Sequence, residues 1–254
     1  MSRYFLKLSY NGTSYNGWQS QDNTPNTVQQ VMEEKLSMIL QEKIELVGCG
    51  RTDAGVNAKD FIAHFDSDCN DLVGNKKQWI YKFNNVLPAE ISVQDIHPVL
   101  YNAHARFNAT QRVYYYHIHR QKDPFIETFS HYVYGELDFE LMNKAASYLL
   151  DYNDFTSFSK LHAQTKTNIC TITKAVWQQS NVGQWRFTIS ADRFLRGMVR
   201  AIVGTLLLVG RNKISLADFK KIIEARDRKM AGSNVPPHAL FLVAIKYPKE
   251  IFSE

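Results

Sequence analysis

Strand-like runs follow one another in this chain without a helix between every pair, and that restricts its fold more than any other feature. Residues 3–10 (RYFLKLSY), 44–49 (IELVGC), 61–66 (FIAHFD), 91–99 (ISVQDIHPV), 112–120 (RVYYYHIHR), 172–180 (ITKAVWQQS), 184–191 (QWRFTISA) and 240–247 (LFLVAIKY) have the β-branched and aromatic content of strands. Parallel neighbours need a long crossover, usually a helix, and strict βαβ order is missing here. The pattern therefore predicts an α+β fold with a mixed or antiparallel sheet. The runs at 172–180 and 184–191 read as a hairpin around Asn181–Gly183.

Helical signals fill some of the gaps. Thr27 with Gln30 three residues on reads as a capping box, and Val28, Val31, Met32, Ile39 and Leu40 keep helical spacing behind it. Trp79, Ile80 and Phe83 form the short apolar face of a second helix that stops before Pro88. Asp138 caps a third, through Leu150, and Ser215 caps one at 216–226. The run 193–210 (RFLRGMVRAIVGTLLLVG) reads as one long apolar helix ending at Gly210. The 254 residues allow one large domain or two small ones. With strands enough for a small sheet in each half, and no long linker or repeat, the division expected is 1–104 and 105–254.

The formal net charge is +5, and there are thirteen Tyr and fifteen Phe. A basic, ring-rich chain has the composition that RNA recognition uses, although most of these rings are expected in the core. Cys49, Cys69 and Cys170 are too few and too widely spaced for a disulfide framework or a Cys-x-x-Cys metal site. A reducing, cytoplasmic setting is the expectation. The N-terminus turns polar too early for a signal peptide, and no apolar run is long enough to span a bilayer.

Three stretches carry candidate chemistry. In GCGRTDAGVNAKDFIAHFD (48–66), Asp53 lies in a loop boxed by Gly48, Gly50 and Gly55, directly after Arg51 and Thr52. A half-buried carboxylate needs a cation or hydrogen-bond donors, and the alternative for this aspartate is a loop-capping Asx-turn. On a helix over 193–210, Arg193, Arg196 and Arg200 at i, i+3 and i+7 would share about 60° of arc. Gly197 and Gly204 fall on the same stripe, so that something flat or anionic could come close. In HARFNATQRVYYYHIHR (104–120), Arg106, Arg112 and Arg120 interleave with Phe107 and Tyr114 to Tyr116. On a strand, Tyr114 and Tyr116 take one face and Tyr115 the other.

Together these stretches resemble the pseudouridine synthase A family of tRNA-modifying enzymes. YNGTSYNGWQSQ with TVQQVMEEKL is similar to the family's opening block, and GRTDAGVNA to its catalytic loop. HARFNATQRVYYY resembles its tyrosine strand, FLRGMVRAIVGTLLLVG its late helix, and HALFLVAIKYP its closing strand. The five blocks stand in family order over nearly the whole chain. The resemblance implies two similar ferredoxin-like halves sharing a continuous, mainly antiparallel sheet, with helices on one face and a basic cleft between the halves. It implies isomerisation of uridine to pseudouridine in the anticodon stem-loop of tRNA, at the positions numbered 38, 39 and 40, by a homodimer without cofactor or metal. Asp53 matches the essential aspartate, Tyr114 the tyrosine that lies against the target base, and Arg200 the arginine that can pair with the aspartate. Arg51, Arg106, Arg193 and Arg196 are the further candidates for RNA contact. The chain departs from the family pattern at Asn57 (usually His), Tyr115 (often Arg) and Ala239 (usually Gly). Two other classes fit parts of the pattern: an RNA-binding protein without chemistry, and a carboxylate hydrolase, which would need a second acid at matched separation.

Overall fold

The computed structural model describes residues 1–22, 24, 26–160 and 167–253. Among these, nine strands and five α-helices run in the order β1 (Ser2–Tyr10), α1 (Val28–Leu40), β2 (Val47–Gly48), β3 (Asn57–Ser67), α2 (Lys76–Val86), β4 (Ile91–Val99), β5 (Gln111–His119), β6 (His131–Tyr132), α3 (Phe139–Tyr148), β7 (Ile172–Asn181), β8 (Gln184–Ala191), α4 (Met198–Gly210), α5 (Leu216–Glu224) and β9 (Leu240–Lys246). The fold is α+β. It divides into two compact units, Met1–Thr110 with Leu242–Glu254, and Gln111–Phe241.

In the first unit β1 pairs antiparallel with both β3 and β4. Alternate residues Leu6, Leu8 and Tyr10 of β1 are buried, as are Phe61, Ala63 and Phe65 of β3. From the helices, Val28, Met32, Leu36 and Phe83 add to this core. Phe5, on the other face of β1, is covered within the same unit by the rings of Tyr247 and Phe252, with centroids 5.0 and 6.1 Å away. The strand expected at 44–49 is reduced to the two residues of β2. Side chains of α1 take the place of a ladder there. Glu33 accepts from the Leu46 N–H (2.8 Å), buried Gln29 donates to the Leu46 carbonyl (3.0 Å), and Ser37 Oγ accepts from the Ile44 N–H (2.9 Å). With its backbone groups satisfied by a helix, the segment has no need of a longer strand partner.

In the second unit β5 pairs antiparallel with β8, β8 with β7, and β6 runs parallel to β5. β7 and β8 form the expected hairpin, closed at Asn181↔Gln184. α4 is buried nearly all round, including Ala201, Ile202, Val203, Gly204 and Leu206, as befits a helix apolar on every side. The caps foreseen at Thr27, Asp138 and Ser215 are present, accepting from the N–H groups of Gln30, Leu141 and Asp218.

One device occurs in both units. Asn84 of α2 donates to the Val93 carbonyl (2.9 Å) and accepts from the Val93 N–H (2.7 Å) on β4. Asn143 of α3 does the same for Trp177 on β7, at 3.1 and 2.7 Å. Each amide satisfies one donor and one acceptor of a strand from the helix packed beside it.

Candidate active site

The Asp53 loop is built by its neighbours in sequence order. Cys49 leaves β2 with its N–H on the Ile62 carbonyl (2.8 Å). A tight turn follows, in which the Val56 N–H donates to the Asp53 carbonyl (3.1 Å) and Gly55 adopts φ 76°. The 11–18 segment then clamps this turn from both sides. The Trp18 N–H reaches the Thr52 carbonyl (3.3 Å), and the Gly55 N–H reaches the Tyr15 carbonyl (3.3 Å). The buried Thr52 hydroxyl bonds the Tyr10 hydroxyl at 2.8 Å. Asn57 Oδ1 accepts from the Gly12 N–H at 2.9 Å, also buried. Asp53 is half-buried, between buried Thr52 and exposed Ala54, and Arg51 is exposed. So the carboxylate is carried on a fixed turn. The Tyr10, Tyr15 and Trp18 supports were not singled out in the sequence. Their signal was the ring-rich block YNGTSYNGW just before α1.

In the second unit, Tyr114 is half-buried, with the Phe194 ring edge-on at 5.2 Å and 89°. Tyr116, on the same face of β5, is fully buried, and its hydroxyl donates to the Pro236 carbonyl at 3.1 Å. Burial pushes its phenol well above the usual tyrosine range, and the nearby Arg200 charge opposes that rise. Tyr115 points to the other face, beneath the Arg186 guanidinium at 4.4 Å. Arg200, in the first turn of α4, donates from Nε to the Val235 carbonyl (2.7 Å), and its own carbonyl accepts from the Val235 N–H (3.3 Å). The Val235–Pro236 segment is thus held by β5 and α4 together.

The single arginine-striped helix does not form. α4 starts at Met198, and Gly197 is its N-cap in the left-handed region, φ 73°. Arg193 and Arg196 therefore lie in the turn before the helix, not on a stripe with Arg200. The Asp192 carboxylate holds that turn by accepting from the N–H groups of Thr171 (2.8 Å) and Arg193 (2.7 Å). The Arg196 carbonyl accepts from the Lys160 N–H (3.0 Å). Arg196 is exposed and Arg193 half-buried. Arg112 is 9% exposed and donates to the Asp192 carbonyl (2.7 Å), so it stabilises the fold. Arg106 is exposed beside the exposed ring of Phe107, with the guanidinium 5.8 Å from the ring centre. Of the family departures, Asn57 has the buried bond to Gly12, Tyr115 its contact with Arg186, and Ala239 is fully buried in a short turn at Pro237–Ala239. Among the described residues no group of three His, Cys, Asp or Glu side chains could hold a metal ion. No described helix is long and apolar enough to cross a membrane.

A family model described as tRNA pseudouridine synthase matches residues 145–248, so that this stretch is similar to that class of enzyme. Relatives extend the match to the whole chain. A protein of Porphyromonas gingivalis named tRNA pseudouridine synthase A is 51% identical over 253 residues, 99% of this chain and 100% of its own length. One of the same name from Parabacteroides distasonis is 52% identical, over 99% of this chain and 98% of its own. A more distant one, from Acetivibrio thermocellus, is 37% identical over 95% and 98%. The chain belongs to the tRNA pseudouridine synthase A family.

Proposed function

We propose that this protein modifies the anticodon stem-loop of tRNA at positions 38, 39 and 40, with Asp53 as its nucleophile. Family membership carries the coarser statement: the chain is an isomerase that converts uridine in tRNA to pseudouridine. The positions rest on the resemblance; the observation that supports Asp53 as the nucleophile is the clamp on its turn. A carboxylate held by backbone bonds on both flanks, on a half-buried residue, is aimed before substrate arrives.

The reaction breaks the N1–C1′ bond, turns the uracil and rejoins it through C5. The proton on C5 is released and N1 gains one, so the product is an isomer and needs no oxidant. Asp53 attacks C1′ directly, or a glycal forms after a proton leaves C2′; both routes use one carboxylate. Tyr114 lies against the uracil, and Arg200 aims Asp53. Arg51, Arg106, Arg193 and Arg196 contact RNA phosphates, which offsets the few kcal/mol that extruding the target base costs. In this reading residues 1–104 bring the carboxylate and 105–254 the tyrosine strand and the late arginine. With it go the shared sheet and basic cleft that the resemblance implies, a homodimer, a cytoplasmic setting, and no cofactor or metal.

The test is tritium release from tRNA labelled at C5 of uridine, with wild type and Asp53→Ala side by side, followed by mapping of the product. Release by wild type alone, at positions 38 to 40, is the expected result. Turnover by Asp53→Ala would sink the nucleophile assignment, and release of free base would point to a hydrolase.

A further inference from the structure

A cavity of about 910 Å³ in the second unit lies apart from the residues assigned above. Its walls are Arg120 at the end of β5, the Gly135–Phe139 loop that leads into α3, and the Gly210–Lys213 segment that ends α4. The walls are tied together, because the Asp138 N–H donates to the Gly210 carbonyl at 2.8 Å. The end of α4 is also closed. The N–H groups of Arg211 and Lys213 satisfy the Leu207 and Leu208 carbonyls, at 3.1 and 2.9 Å, and Asn212 takes a left-handed turn, φ 54°. The backbone that carries the cations is therefore set.

Three cations line this space, Arg120, Arg211 and Lys213, with two acids, Glu136 and Asp138. Asp138 is engaged as the cap of α3, accepting from the Leu141 N–H at 2.9 Å. Glu136 is exposed on the loop. Arg120 is the unusual member. Its Nε and Nη1 are buried and have no hydrogen-bond partner among the described residues. A guanidinium left this way lacks the compensation that buried charges ordinarily have. Burial, and next the charge of Arg211, push its pKa below the usual arginine value, while Tyr132 and Glu136 oppose that fall.

We propose that this cavity binds a phosphate group through Arg120, Arg211 and Lys213. The exposed Arg211 guanidinium can match phosphate oxygens in pairs, the lysine adds a point charge, and Arg120, whose Nε and Nη1 are buried, adds its charge from the wall. The volume leaves room for the sugars on either side of a phosphodiester. Arg200 lies in the first turn of α4 and this cavity at its last, about 15 Å along the helix axis. A phosphodiester of a tRNA held by the residues proposed above is one source of the group, and this source rests on that function. Free phosphate is the other.

The experiment uses the full chain, with Arg211→Gln/Lys213→Gln as the first variant, since both side chains are exposed, and Arg120→Gln as the second. One arm titrates inorganic phosphate by calorimetry. The other measures tRNA affinity over a series of salt concentrations. Saturable phosphate binding by wild type that the variants lose supports the site, with free phosphate as its ligand when only this arm responds. A fall in the salt slope of tRNA binding by about 1 for each phosphate left unpaired supports it with RNA as the ligand. Variants indistinguishable from wild type in both arms overturn it. Failure of wild type to form pseudouridine removes the tRNA reading and leaves the phosphate arm to decide the site.

Discussion

The side-chain oxygen of Asn57 accepts a hydrogen bond from the backbone N–H of Gly12 at 2.9 Å, in a buried position. This one bond joins the first residue of β3 to the segment that clamps the Asp53 turn. Asn57→Ala removes the acceptor and leaves the Gly12 N–H buried and unpaired, at a cost of about 1–3 kcal/mol. Urea denaturation should show a lower midpoint with an unchanged slope. Asn57→Asp keeps an acceptor oxygen there and should lose less.

Gly17 tests whether the turn must be held in place. A Cβ there would lie 2.5 Å from the Thr52 carbonyl, and Gly17 has φ 93°. Gly17→Ala adds about 1–2 kcal/mol of backbone strain and forces Thr52 and Asp53 to shift. The expected outcome is a loss of tritium release far larger than any loss of tRNA affinity. Equal losses in both would show that the clamp serves binding alone.

Asp53→Asn tests the carboxylate with little change of shape. Pseudouridine formation should become undetectable while tRNA binding in a filter assay stays within a few-fold of wild type. Product formed at a measurable rate would remove Asp53 from the chemistry.

His64 links stability to acidity. Burial, chiefly, lowers its pKa from 6.5 to about 4, and its Nδ1 accepts from the Ala105 N–H at 3.1 Å. The fold therefore holds the neutral ring. The unfolded chain takes up the proton first, so stability is full above about pH 6.5 and falls as the pH drops towards 4. Burial likewise lowers His131 to about 4, and it acts in the same direction. Chemical denaturation at pH 7 and pH 5 should show the decline. His64→Gln should flatten part of it and leave the share due to His131.

The order of elements was legible because it rests on local signals. β-Branched and aromatic content marked β1, β3, β4, β5, β7, β8 and β9, and the side-chain oxygens of Thr27, Asp138 and Ser215 marked three helix starts. Two readings failed where a local pattern met a contact that it could not contain. The run at 44–49 has strand composition, yet Glu33, Gln29 and Ser37 of α1 take its backbone groups. The run at 193–210 has helical composition, yet Gly197 turns left-handed and Asp192 anchors the residues before it.

The sequence by itself determined the fold class, most strand and helix positions, and a family motif centred on Asp53, because short-range periodicity, caps and turn residues act within a few positions of one another. Only the tertiary structure decided how the Asp53 turn is clamped, which arginines belong to α4, and that Arg120, Arg211 and Lys213 line one cavity. The bonds responsible join residues far apart in the chain, 45 positions for Gly12 and Asn57 and 120 for Tyr116 and Pro236. No window along the sequence contains both partners.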